Sequence, residues 1–287
     1  MTMSADTNPG RSGGAGAGLP GPDLDWMLWP AARLRNETAW TGHIAFAHWI
    51  ICAMRPNRLV ELGTHSGTSY AAFCEAVVRC KAPTACFAVD TWQGDPQAGR
   101  YTDDVFNDLS AFNLVRYSGF STLLRKTFDA ALADFADGSV DLLHIDGLHT
   151  YEAVKHDFTS WLPKLSDAAV VLFHDTQERQ ADFGVWRFWA ELRQSYPGFE
   201  FTHSHGLGVL QVGRRVHDSM AHLFNLRNAA EIQNIQRTFE FLGGRFQTEV
   251  NFLKLQAEGR RLVERLNRAE GENRRLVTDL AARRAKS

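Results

Sequence analysis

Two short clusters hold the side chains best suited to chemistry. One is Asp146-Gly147-Leu148-His149 and the other is His174-Asp175. Each follows an apolar run of strand length, 140–145 and 168–173, so each begins where a strand's carboxyl end gives way to a loop. If the two strands are neighbours, both clusters open into one crevice. An imidazole with an ordinary pKa of about 6.5 can accept a proton near neutral pH. A hydroxyl needs such a base if its oxygen is to attack an electrophile. His149 is the expected base, positioned by the acids around it, so the expected catalytic set is His149, Asp146 and Asp175. Asp146 and Asp175, with His174, are the expected ligands of a hard divalent cation such as Mg2+ that would orient the hydroxyl. His144 and His156 lie close by and are read as structural.

The elements that must position these groups are organised around 58–78, RLVELGTHSGTSYAAFCEAVV. Arg58–Leu62 reads as a short apolar strand, 63–69 as a small-residue turn, and 70–78 as a helix by its apolar spacing. Strand, glycine turn and helix in that order aim helix N–H groups at the ligand crevice of an open α/β sheet. The turn is Gly63-x-x-x-Gly67, not the G-x-G-x-x-G that lets backbone press against a pyrophosphate. Glu61, two residues earlier, would repel phosphates and attract a cationic or amine-bearing ligand. A second strand, 86–89, ends in Asp90, where an acid can accept hydrogen bonds from ribose hydroxyls. A nucleoside without phosphates that carries an amino acid satisfies both features, and S-adenosylmethionine is the expected cofactor.

ELGTHSGTS, AVDTWQGD, LLHIDGLHTYEAVKHD, VVLFHDT and FGVWRFW together resemble a class I S-adenosylmethionine-dependent methyltransferase. The subgroup resembled is associated with bacterial glycosyltransferases and is distantly similar to macrocin and rhamnosyl O-methyltransferases. The resemblance covers roughly Trp40 to Gly213. It implies that Glu61, Gly63 and Gly67 line the methionine end of the cofactor, that Asp90 holds the ribose, and that Thr64, Ser69 and Asp146 complete the site. It also implies an acceptor hydroxyl on a sugar, glycan or glycosylated metabolite, in polysaccharide biosynthesis. In related metal-dependent O-methyltransferases Asp-x-x-His is followed by two adjacent acids. Here the second element is His174-Asp175, one carboxylate short.

At 287 residues with 44% hydrophobic content, the chain suits one large α/β domain with extensions. No apolar run reaches the ~18 residues of a membrane span, and no basic-then-apolar leader opens the sequence, so a cytoplasmic location is expected. Cys52, Cys74, Cys80 and Cys86 lack paired C-x-x-C spacing and are read as free buried thiols. From Arg214 onward there are 15 Lys and Arg against 9 Asp and Glu, leaving 16 against 24 before it. An acidic body with a basic tail results; nothing in it points to nucleic acid.

Residues 1–22 are Gly-, Ala-, Ser- and Pro-rich and read as disordered. Residues 23–213 then form the expected methyltransferase domain: a helix 41–54, the central strand and turn, and further helices at 103–114, 129–135, 151–165 and 183–196. These alternate with strands 120–124, 140–145 and 168–173, and strands 199–202 and 209–212 close an edge hairpin. That alternation is a Rossmann-like, mostly parallel sheet with helices on both faces. Residues 214–287 read as a helical tail. Phe239, Leu242, Phe246 and Leu253 make one stripe, interrupted by Gly243-Gly244. Leu262, Leu266, Ala269, Asn273, Leu276 and Leu280 make a heptad seam, a coiled-coil signal that would support a homo-oligomer. Partnership with a glycosyltransferase follows from the resemblance alone. Trp92, Trp186 and Trp189 are candidates for stacking on a sugar. Two other readings compete: a metal-dependent hydrolase built on the His/Asp cluster, and a non-catalytic cofactor-binding or assembly module.

Overall fold

A computed structural model describes residues 24–34, 38–97 and 99–285; the reading of 1–22 falls outside them. The strands, in chain order, are β1 (Arg58–Leu62), β2 (Ala85–Asp90), β3 (Gly94–Asp95), β4 (Gly99–Arg100), β5 (Ser121–Arg125), β6 (Val140–Ile145), β7 (Leu165–His174), β8 (Gly198–Phe201) and β9 (Leu207–Gln211). Seven of them form one sheet in the order β5-β2-β1-β6-β7-β9-β8, while β3 and β4 make a separate small hairpin. The first five of that order run parallel, and β9 is antiparallel to both β7 and β8. Parallel strands are covered on both faces, which is why β7 reads as a continuous apolar run over 168–173.

The helices are α1 (Ile44–Met54), α2 (Thr68–Cys80), α3 (Asp103–Arg116), α4 (Phe128–Ala131), α5 (Tyr151–Trp161), α6 (Val185–Leu192), α7 (Asp218–Asn225) and α8 (Ala229–Arg284). On one sheet face Phe46, Trp49 and Tyr70 of α1 and α2 bury against Phe201 and against Phe239 and Phe246 of α8. On the other, Phe158 and Trp161 of α5 meet Phe188 and Trp189 of α6. Burying a Phe side chain stabilises the fold by roughly 1.5–3 kcal/mol, so these two layers hold the sheet.

Several helix boundaries shift for local reasons. The expected helix from Thr41 starts as a 3-10 turn over Ala39–His43, with Thr38 capping through its hydroxyl, and becomes α1 only at Ile44. Helix α5 ends at Trp161, ahead of Pro163, because proline has no N–H to continue the ladder. Helix α6 begins after Gly184, two residues later than its apolar spacing suggests. Gly243 and Gly244 do not interrupt α8, which runs unbroken for 56 residues. A Cβ on Gly243 would lie 1.9 Å from the carbonyl oxygen of Gly42, so this glycine is what lets α8 lie backbone-to-backbone on the turn before α1. Phe239 and Phe246 are buried in that contact, whereas Leu253 is exposed. The four free thiols expected are corrected to two: Cys52 and Cys80 form a disulfide between the ends of α1 and α2, and Cys74 and Cys86 stay free and buried. Packing α1 against α2 brings those two ends together, a proximity that cysteine spacing does not encode.

Candidate active site

The site lies at the carboxyl ends of β1, β2, β6 and β7. Gly63 has φ 87° and Gly67 φ 81°, a region that side chains disfavour. A Cβ on Gly63 would sit 2.1 Å from the carbonyl oxygen of Asp146, and one on Gly67 2.5 Å from Leu109. The turn therefore closes tightly over β6 and delivers Thr68 and Ser69, the first residues of α2, to the cavity wall. Asp90 fixes this turn. One carboxylate oxygen accepts from the N–H groups of Thr64 and His65, both at 2.9 Å, and the other from Trp92 N–H at 2.7 Å.

A cavity of about 460 Å3 opens above these elements, within the range of small-molecule sites. Gly63, Thr64, Ser69, Asp90, Asp146, His149, His174 and Asp175 all line it. Two of the expected cofactor residues do not. Gly67 is turned toward Leu109. Glu61 is 0% exposed in the sheet, and His144 Nδ1 lies 2.9 Å from its carboxylate. The Trp40 indole N–H donates to His144 Nε2 at 3.0 Å, so His144 carries its proton on Nδ1 and donates to Glu61. Burial raises the Glu61 pKa.

The cavity fits S-adenosylmethionine on its own chemistry. The hydroxyls of Thr64 and Thr68 are buried without hydrogen-bond partners, which leaves two polar atoms for a ligand to satisfy. The carboxylates of Asp90, Asp95, Asp146 and Asp175 on the wall favour a ligand with positive charge.

Beside this pocket stands the expected catalytic cluster. Strands β6 and β7 pair in register, Ile145 beside Phe173, so Asp146 and His174 emerge side by side. Asp175 has φ 62°, which turns its carboxylate back toward them. His149 Nε2 is 2.9 Å from Asp175 and 3.4 Å from Asp146, and His174 Nδ1 is 3.3 Å from both. Burial lowers the affinity of His149 for its proton, yet hydrogen bonds to Asp146 and Asp175 outweigh this and hold it up at about 9. Burial likewise opposes protonation of His174, but the fields of the two carboxylates push it up to about 10. Burial would raise both acids; instead His174 and His149 keep Asp146 and Asp175 well below the usual carboxylate range. The ordinary titration near 6.5 read for His149 is thereby corrected: the two carboxylates favour its charged form at neutral pH.

Asp146, His149 and Asp175 also offer three ligand atoms within 4.8 Å of one another. Two carboxylate oxygens and one imidazole suit a hard divalent ion. His174, expected among the ligands, faces the same carboxylates but lies outside this triad, and His149, expected as the base alone, falls inside it.

Three contributors escaped the sequence. Gln97, at the tip of the β3–β4 hairpin, accepts from the His149 backbone N–H at 2.9 Å and lies 3.0 Å from its Nδ1. A proton held on Nδ1 by this amide leaves Nε2 to face the acids. Phe183 stacks on the His149 ring at 4.9 Å. His205, in a tight turn between β8 and β9, lies 3.3 Å from Asp175 and lines the cavity. Only Phe183 lies in a motif, at the start of FGVWRFW, and each reaches His149 or Asp175 across a long stretch of chain. The three tryptophans that are candidates for stacking on a sugar do other work, Trp189 packing in the core as its place on a helix favours. Trp92 is 1% exposed and donates to the His65 carbonyl at 2.8 Å, while Trp189 is core and Trp186 lies outside the cavity lining. The aromatic cavity walls are Trp40, Tyr101 and Phe128.

Residues 60–176 match the family model of a methyltransferase domain. That span contains the glycine turn, Asp90 and both polar clusters. The chain is 44% identical over 246 residues to the uncharacterized protein y4gI of Sinorhizobium fredii, a match covering 85% of this chain and 26% of that protein. The chain thus spans about a quarter of that relative's length. Among solved structures, cofactor-bound Rv0187 from MTB aligns at 15% identity and a TM-score of 0.47, over 67% of this chain and 88% of that one. The SAH-bound methyltransferase PaMTH1 of Podospora anserina aligns at 15% identity and 0.46, over 66% and 88%. Among the described residues no helix is long and apolar enough to cross a membrane.

Proposed function

We infer that the chain is an S-adenosylmethionine-dependent O-methyltransferase whose acceptor is a hydroxyl of a sugar, glycan or glycosylated metabolite. The observation that carries the reaction type is an imidazole, His149, set between two carboxylates on the wall of a cavity that suits a cationic nucleoside. The acceptor class rests on the resemblance to glycosyltransferase-associated enzymes. When bound, S-adenosylmethionine supplies a sulfonium-activated methyl group. Thr64, Ser69, Asp90 and Asp146 bind and orient that cofactor. Asp146 and Asp175 aim the His149 ring, Gln97 keeps its Nδ1 occupied, and Nε2, once it has released its own proton to solvent, takes the proton of the acceptor hydroxyl. A divalent cation held by Asp146, His149 and Asp175 would carry the positive charge now borne by the two imidazoliums and polarise the acceptor oxygen. A cation on His149 Nε2 would exclude that ring as the base and leave His205, 3.3 Å from Asp175 on the cavity wall, to receive the proton.

The test is mass spectrometry of a glycan and nucleotide-sugar panel incubated with methyl-labelled cofactor, with and without chelator. One labelled methyl on a hydroxyl oxygen is the expected result. Loss of turnover under chelator, restored by Mg2+ or Mn2+, assigns the triad to a cation; undiminished turnover assigns activation to His149 alone. A chain that binds neither the cofactor nor its demethylated product in calorimetry overturns the reading.

A further inference from the structure

The outer half of α8 carries far more apolar surface than a solvated helix needs. From Asn251 to Ala285 every residue is exposed except Ala257 and Gly271, which are half-buried. Yet Phe252, Leu255, Leu262, Leu266, Leu276 and Leu280 stand there between 54% and 66% exposed. They share one seam. With a at 252, 259, 266, 273 and 280 and d at 255, 262, 269, 276 and 283, seven of the ten positions from 252 to 283 are apolar at a 3.5-residue repeat, the others being Gly259, Asn273 and the terminal Arg283. At 1.5 Å per residue the seam extends ~48 Å.

We propose that this seam is the interface of a parallel, in-register, two-stranded coiled coil with a second copy of the same chain. Two features select that occupant and direction. Asn273 occupies an a position, so parallel in-register pairing sets it against Asn273 of the second copy, where two amides can satisfy each other in an otherwise apolar seam. The flanking charges agree. In this alignment each g residue faces the e residue five positions on in its partner, so Arg265 meets Glu270 and Asp279 meets Arg284, twice each by symmetry. Glu258 and Glu272 fall opposite Val263 and Val277, and no like charges oppose one another. Antiparallel overlap of the same seam does worse on both counts: it buries Asn273 against Leu262 and sets Glu258 against Asp279.

The interface is isologous and closes on itself, and it places both catalytic bodies at the same end of the coil. It is independent of the reaction assigned to the cavity.

Light scattering on the full chain tests it, with an expected mass twice the 32.2 kDa of one chain. Leu266→Lys with Leu276→Lys should halve that mass. Direction is read by oxidation of single-cysteine additions. Leu276→Cys should crosslink to itself almost completely, while a mixture of Leu262→Cys and Asn273→Cys chains should give no 262-to-273 crosslink. A single-chain mass for the wild type at its highest soluble concentration overturns the proposal, as does a dominant 262-to-273 crosslink. If the double-lysine variant aggregates, the crosslinking alone decides.

Discussion

Two histidine–carboxylate pairs flank the end of β6 and do opposite things. His144 and Glu61 face each other across β6 and β1, both 0% exposed, with the Trp40 indole closing the far side of the ring. His149 meets Asp175 at the same 2.9 Å, but in the loop past the strand, on a cavity wall. The same two residue types at the same separation thus form a sealed structural contact in one case and an addressable proton site in the other. Two things differ: a second carboxylate, Asp146, at the open site, and a path to solvent. One acid satisfies one N–H. The two acids are balanced only while both His149 and His174 hold their protons, and that dependence is what a cation or a substrate can answer.

The comparison breaks most sharply in catalysis. His149→Ala should lower kcat by 10²–10⁴-fold, roughly 3–5 kcal/mol of barrier, while calorimetry with S-adenosylhomocysteine shows affinity changed by no more than a few fold. A variant keeping more than about a tenth of wild-type kcat moves the base to Asp175 or His205.

Next is pH. Both open-site imidazoles have folded pKa values above their unfolded ones, about 9 for His149 and about 10 for His174. Their stabilisation is therefore complete below about pH 6.5 and is lost as pH rises through 9 to 10. In chelator, urea unfolding at pH 7 and at pH 10.5 should differ by several kcal/mol from this cluster, with the lower stability at pH 10.5. Asp146→Asn combined with Asp175→Asn should flatten the difference; an unchanged alkaline slope in that variant places its origin elsewhere.

The sealed pair gives the smallest effect. Glu61→Leu leaves the His144 Nδ1–H without an acceptor in a dry sheet, a loss of about 1–3 kcal/mol in unfolding free energy. Cofactor affinity should drop less than tenfold, since Glu61 does not line the cavity. A tenfold or larger drop with unchanged stability would restore Glu61 to the cofactor's contacts.

Much of the site was legible because local chemistry writes it. Buried parallel strands read as unbroken apolar runs, and a polar cluster just past such a run must emerge at the sheet's carboxyl edge; that locates Asp90, Asp146 and Asp175. Which of the two imidazoles makes the close three-ligand group with the acids was not legible. His149 and His174 differ only in how a loop folds back and in the left-handed turn at Asp175, both set by tertiary packing. Gln97 was invisible for the same reason: 52 residues separate it from His149, and no periodicity links a hairpin tip to a strand end. In α8 the pattern showed two apolar stripes but not their different fates. Phe239 and Phe246 bury while Leu262 and Leu266 do not, because Gly243 admits Gly42 at one point and the body ends soon after.

That glycine-to-glycine contact determines where this chain can be divided. The turn bearing Gly42 also bears Trp40, which lines the cavity and hydrogen-bonds His144. The inner half of α8, down to the buried Val250, is thus a buttress behind the cavity wall, whatever the composition shift at Arg214 suggests. Severing the chain between the sheet and α8 would remove that support along with the arm. A clean separation falls inside the helix, just beyond Val250, where a single unbroken rod changes from masonry to mast.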